Sequence, residues 1–132
     1  MKLVITAEGT DWDAALSPFF GRCPRFVFVD IDSDQCETVD NPSAMARGGA
    51  GIHAAQFVVE RGAEAVVTGN VGPNAYQVLH AADIPVYLSA EGTVRQVVEA
   101  YKAGALQPAE QPNLEAHAGM GGARGWGSPA GG

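Results

Sequence analysis

Arg25-Phe26-Val27-Phe28-Val29-Asp30-Ile31-Asp32 alternates without a break, with Phe26, Phe28 and Asp30 on one face of an extended chain and Val27, Val29 and Ile31 on the other. Asp32-Ser33-Asp34-Gln35 then reads as a turn, and residues 36–40 as a short strand returning from it, so the segment is a β-hairpin. Upstream, Lys2–Ala7 is a near-continuous apolar run with β-branched members, as expected of a strand buried on both faces. Downstream the pattern changes to alternating helix and strand. Residues 52–61 read as a helix stopped by Gly62, and Ala65–Thr68 as a short strand. A second helix opens on Pro73, and residues 85–88 form another short strand. Thr93 and Gln96 have the spacing of a capping box, and Val94, Val97, Val98 and Tyr101 form one apolar stripe on a third helix that ends at Gly104.

The order β-β-β-α-β-α-β-α predicts an α/β fold, a five-stranded mixed sheet with three helices packed on it. If the first strand runs upward, the second comes down, the third returns upward, and every strand after a crossover helix also runs upward. The 8–21 loop, the Gly21-Arg22-Cys23 entry to the hairpin, the 41–51 loop and the 69–73 turn then share one end with the N-termini of all three helices. After Gly104 the composition shifts: residues 105–132 hold 7 Gly, 6 Ala and 3 Pro among 28 positions, too few apolar side chains to bury. Two regions are therefore expected, a domain over 1–104 and a disordered tail over 105–132.

A chain of 132 residues with 46% hydrophobic and 17% charged residues is long enough for one packed domain. Its formal charge of −7, without a cluster of Lys and Arg, argues against nucleic acid as a partner. No apolar run reaches the ~18 residues of a membrane span, and the N-terminus enters a strand without the features of a signal peptide, so a cytoplasmic location is expected. Cys23 and Cys36 are the only cysteines, and no CxxC pair exists. The strand between them spans roughly 25 Å at about 3.3 Å per residue, so no disulfide is expected to join them.

The end where the loops gather carries the chemistry. Gly21, the glycines of Gly48-Gly49-Ala50-Gly51, and Gly69 and Gly72 permit close backbone approach, and helix N-termini offer N–H groups with partial positive charge. Together they describe a pocket for an anion, although any one glycine is equally well explained by turn geometry. Asn70 and Asn74 belong to the third segment. Arg22 and Arg47, two of seven basic residues in positions 1–104, fall in these loops and suit anionic sulfide or phosphate, or else pair with Asp11 or Asp13. His53, in the first turn of its helix, points back toward the loops and is a potential imidazole ligand. Cys23 and Met45 are soft sulfur donors in the same region. Gly49-Ala50-Gly51-Ile52-His53-Ala54 matches a GxGxxA dinucleotide fingerprint only superficially, because it follows a loop instead of a strand. No nucleophile–base pair or carboxylate pair stands out, so catalysis is not expected.

Three segments in order, Ser17-Pro18-Phe19-Phe20-Gly21-Arg22-Cys23-Pro24-Arg25-Phe26, Gly48-Gly49-Ala50-Gly51-Ile52-His53-Ala54-Ala55-Gln56 and Thr68-Gly69-Asn70-Val71-Gly72-Pro73-Asn74-Ala75, resemble the dinitrogenase iron–molybdenum cofactor biosynthesis family of nitrogenase cofactor carriers and orange-type proteins. The resemblance covers about residues 1–103. It implies a ribonuclease-H-like motif with sheet order 3-2-1-4-5, without nuclease activity, since Lys2–Ala7 lacks the carboxylates that two-metal cleavage needs. It further implies that a metal–sulfur cluster (an iron–molybdenum, molybdenum–copper or iron–sulfur species) is bound non-covalently in the loop cleft. The implied role is carriage or assembly, with cofactor-assembly proteins or an ATPase as partners and a monomer or weak dimer as the state. Arg47 and the long tail depart from the family's usual pattern. Two other readings stay open from the residues: a small enzyme or sensor for a phosphorylated metabolite at the same loops, and a protein-interaction adaptor.

Overall fold

The computed structural model describes residues 1–45 and 48–113. β1 (Lys2–Ala7), β2 (Arg25–Asp30) and β3 (Gln35–Asp40) come first, followed by α1 (Ala50–Glu60), β4 (Ala65–Thr68), α2 (Pro73–Ala81), β5 (Val86–Leu88), α3 (Val94–Lys102) and β6 (Gln107–Pro108). The hairpin forms as its alternation predicts, with Phe26 opposite Val39 and Phe28 opposite Glu37. Its turn is closed by the Asp34 N–H donating to the Asp30 carbonyl at 2.9 Å, with Asp34 itself at φ 58°, a left-handed conformation that Asp tolerates.

The strands lie in the order β3-β2-β1-β4-β5-β6. β1 pairs antiparallel with β2 and parallel with β4, and β4 pairs parallel with β5. Sidedness follows the period of 2. Val4, Phe26, Phe28, Val66 and Val86 face α1 and α2, meeting Ala54, Ala55, Val58, Ala75 and Leu79. Leu3, Ile5, Val27, Val29 and Val67 face α3 and meet Val94, Val97 and Val98. Every residue of β1 after Lys2 is buried, which is why its sequence is apolar throughout.

Two expectations need correction. The sheet has six strands, not five, because Gln107–Pro108 pairs antiparallel with β5. Residues 105–113 accordingly belong to the folded domain: the Ala109 N–H donates to the Val86 carbonyl at 2.7 Å, and Ala109 packs against the core on the α1/α2 side. The rest of the expected tail, including His117 and Met120, lies outside the described residues, as does Arg47. Helix α1 starts at Ala50, two positions before the expected start, and Gly62 follows its end in the left-handed conformation (φ 82°). Among the described residues no helix is long and apolar enough to cross a membrane.

Candidate functional site

Hydrogen bonds and steric closeness hold the three glycine-containing segments to one another at the C-terminal end of β1. Loop 8–21 is tied to the turn after β4 by the Phe20 N–H, which donates to the Asn70 carbonyl at 3.0 Å, and by Asn70 Nδ2, which donates to the Pro18 carbonyl at 2.8 Å. A Cβ on Gly69 would stand 2.8 Å from the Pro18 oxygen, so only glycine lets these two segments cross. Gly21, at φ 99°, meets the start of α1 as closely: a Cβ there would lie 2.9 Å from the Gly51 Cα. Gly51 in turn abuts α2, where its Cβ would be 3.3 Å from that of Ala75. Arg22, Gly49, Gly51, His53, Asn70 and Gly72 are thereby brought to one rim.

Two helices open onto this rim without a side-chain cap. The N-cap of α1 is Gly49, at φ 72°, and that of α2 is Gly72, followed by Pro73. Their leading N–H groups, those of Asn74 and Ala75 on α2 among them, carry the partial positive charge of a helix start. α3 differs from the expectation that all three helices contribute. Its capping box is complete, and loop 8–21 supplies the Ala14 and Trp12 carbonyls to the N–H groups of Val94 (2.8 Å) and Arg95 (2.9 Å). Its N-terminus is spoken for.

The side chains sort by what they can reach. His53 is exposed, and its ring lies back over Gly49, with Cε1 3.8 Å from where a Cβ on that glycine would stand. Arg22 is half-buried and its Nη1 donates to the Ala44 carbonyl at 3.3 Å, which spans the first and second loops. Asp13 pairs with Arg95 at 3.6 Å, on the α3 side. Met45 is 92% exposed. Asn74 is exposed in the first turn of α2. Cys23 does not reach the rim. It is 0% exposed within the core beneath it, and burial pushes its thiol up to about 12, only partly offset by hydrogen bonds from the Gly21 backbone and the Asn41 amide. A thiol so buried and protonated is a poor metal ligand. Both cysteines are free.

Sequence reasoning passed over three contributors. Asn41 is buried and its Nδ2 donates to the carbonyls of Gly21 (3.1 Å) and Cys23 (2.9 Å), stitching the second loop to the first. Its Oδ1 accepts the Ser43 N–H at 2.9 Å, a side-chain turn that the Asn41-Pro42 pair announces. Below the rim, Thr6 Oγ1 donates to the Ser17 carbonyl at 2.8 Å and lies 2.9 Å from Thr68 Oγ1, a buried hydroxyl pair that locks β1 to β4. Asn113 arrives from the far end of the chain. Its N–H donates to the Val71 carbonyl at 3.0 Å, and nothing in its sequence neighbourhood marks it.

The donor set is backbone N–H groups, asparagine amides, Arg22 and one exposed imidazole. Among the described residues no group of three or more His, Cys, Asp or Glu side chains is arranged to hold a metal ion. Surface cavities of about 320 Å³ beside Tyr76 and His80, and about 390 Å³ beside Tyr87 and Tyr101, are lined by no residue of the three loops. The rim suits a bulky anion held by hydrogen bonds and charge.

Residues 1–104 match the family described as dinitrogenase iron-molybdenum cofactor. The apo form of the orange protein from Desulfovibrio gigas superposes with a TM-score of 0.82 at 43% identity, covering 85% of this chain and 95% of that one. A NifB-like protein from Thermotoga superposes with a TM-score of 0.71 at 33% identity, covering 81% and 91%. An uncharacterised protein from Methanocaldococcus jannaschii is 30% identical over 98 residues, 72% of this chain and 83% of that protein.

Proposed function

The chain belongs to the dinitrogenase iron-molybdenum cofactor family, and from that premise we propose that it binds and carries a preformed anionic metal–sulfur cluster in the cleft between loops 8–21, 41–49 and 69–72. The observation that carries the proposal is the pair of helix starts at Gly49 and Gly72. Both lack a side-chain cap and sit side by side at the Gly51–Ala75 contact. A cluster whose charge is spread over sulfides is matched by several weak N–H donors better than by a few strong ligands. Gly21, Gly49, Gly51 and Gly72 let the backbone approach. Arg22 and Arg47 supply positive charge, Asn70 and Asn74 supply amide donors, and His53 and Met45 are the side chains available for direct ligation. The β3-β2-β1-β4-β5 order supports the ribonuclease-H-like relationship. The cargo is an iron–molybdenum, molybdenum–copper or iron–sulfur species, and the role is carriage toward assembly proteins and not catalysis.

Reconstitution of the full chain without air tests this, in separate arms with tetrathiomolybdate plus copper(I) and with iron plus sulfide. Desalting, metal analysis and visible absorption follow. Stoichiometric retention with sulfide-to-metal bands in one arm is expected. Complete loss of metal in every arm, together with a rise in melting temperature on adding phosphorylated metabolites, would replace the proposal by the phosphate-binding reading.

A further inference from the structure

Residues 105–113 form a strap that runs from one edge of the sheet to the rim. Gln107–Pro108 pairs with β5, Tyr76 Oη donates to the Ala109 carbonyl at 3.1 Å, and Asn113 meets the turn after β4. There one side chain makes two bonds of different kinds. Asn113 Oδ1 accepts the Val71 N–H at 2.7 Å, and Asn113 Nδ2 donates to Asn70 Oδ1 at 3.1 Å. With its own N–H on the Val71 carbonyl, Asn113 occupies both backbone groups of Val71. It also dictates which way round the Asn70 amide sits: oxygen toward the strap, nitrogen toward Pro18.

Asn113 is exposed and adds nothing to the core, so the clamp is out of proportion to any packing role. What it holds is the segment between β4 and the uncapped start of α2, where Val71 is buried and Gly69, Asn70 and Gly72 are half-buried. The matched family span ends at residue 104, so this strap is an addition to what that match describes. We infer that Asn113 is a positioning residue for the cluster cleft, holding Asn70 and Val71 in the shape that presents the α2 N-terminus to the bound anion, and that strap and cargo are energetically coupled through it. The inference rests on the cluster-carrier reading for its cargo, while the clamp itself has its own observable. Coupling runs both ways: a bound cluster protects the strap, and a released strap weakens the cluster.

The full chain and two variants decide the matter. Asn113→Ala removes both side-chain bonds. Asn113→Asp keeps an acceptor for the Val71 N–H but sets a carboxylate oxygen against Asn70 Oδ1. In the apo proteins, Val71 amide hydrogen exchange is expected to speed up about tenfold or more in Asn113→Ala and to stay near wild type in Asn113→Asp. The dissociation constant for the reconstituted molybdenum–copper cluster is expected to rise about tenfold in both, with the melting temperature shifted by less than about 3 °C. Wild-type affinity in both variants, or an affinity loss no larger than the loss of stability explains, overturns the positioning role. If wild-type protein retains no cluster, the carrier reading falls, and the clamp is then judged on Val71 exchange alone, where unchanged protection overturns it.

Discussion

α3 and α2 begin at the same end of the sheet and are each nine residues long, yet their first turns are finished in opposite ways. At α3, Thr93 and Gln96 cap each other's backbone at 3.2 and 3.0 Å, and loop 8–21 lays two carbonyls across the next N–H groups. At α2, Gly72 offers no side chain, and the same is true of Gly49 at α1. A helix leaves four N–H groups without internal partners, and a chain that only needs stability satisfies them as α3 does. At Gly72, whose extended backbone would accept a Ser or Asp cap, the open start sacrifices stability that such a residue would have supplied, whereas Gly49, at φ 72°, has a backbone that favours glycine. Under the cluster-carrier proposal, the two open starts are where the anion is held.

The largest effect is predicted where the open rim is assembled. Gly21→Ala places a methyl 2.9 Å from the Gly51 Cα on a residue at φ 99°, so backbone strain and overpacking act together. A loss of about 2–4 kcal/mol is expected, measured by urea unfolding of the apo protein, and cluster retention should fail with it. A variant as stable as wild type would mean that the first loop does not need to touch α1, and the rim would lose its geometry.

Beneath the open rim the core is apolar, and Cys23 reports on it. Its folded-state pKa, about 12, lies above the ordinary value of 9.0 because burial penalises the thiolate. The sign follows from proton counting: below pH 9 the stabilisation is intact, and above it the unfolded chain ionises first. Stability should therefore decline by on the order of 1.4 kcal/mol per pH unit as pH rises from 9 toward 12. Urea midpoints across that range for wild type and Cys23→Ala should diverge in slope. Parallel curves would place the thiol in water, at the cleft after all.

On the closed side, Thr93→Ala removes the cap of α3 and should cost about 1 kcal/mol of stability. Cluster affinity should stay within about twofold of wild type, since the first turn of α3 faces Ala14 and Trp12 and not the cleft. A matching drop in affinity would erase the distinction between the two ends.

Much of this contrast was written in the residues. The 25–40 hairpin, the buried run of β1 and the stripe of α3 each repeat at the period of their element, and the crossover order places β4 and β5 with little freedom. Thr93 and Gln96 even spelled out the closure of α3, although counting helix starts without asking which were already occupied placed all three at the site. The remainder depended on contacts with no local signature. β6 is two residues long and contains a proline, so no periodicity announces it. Asn113 stands in a stretch rich in Gly, Ala and Pro and acquires its meaning only by meeting Val71, 42 positions away. Cys23 was placed by sequence position alone, and whether a loop side chain faces the ligand or the core is decided by tertiary packing.

The sharpest test changes stability least. Gly72 sits at φ −85° and ψ 173°, an extended conformation that an aspartate adopts without strain and that suits an N-cap. Gly72→Asp would give α2 the kind of finish that α3 has, with a carboxylate accepting a first-turn N–H and complementing the helix dipole. Apo stability should rise by about 0.5 kcal/mol, read from the urea midpoint. Affinity for the cluster should fall tenfold or more, because the N–H donor is now occupied and a negative charge ~6 Å from an anion costs roughly 1–3 kcal/mol at an effective dielectric of 20–40. Gly72→Ser separates the two causes, since a hydroxyl takes the N–H without adding charge and should weaken binding less. A Gly72→Asp protein that is more stable and binds its cluster undiminished would mean that the anion never meets the start of α2. The open helix would then be an unfinished cap, no different in kind from the closed one.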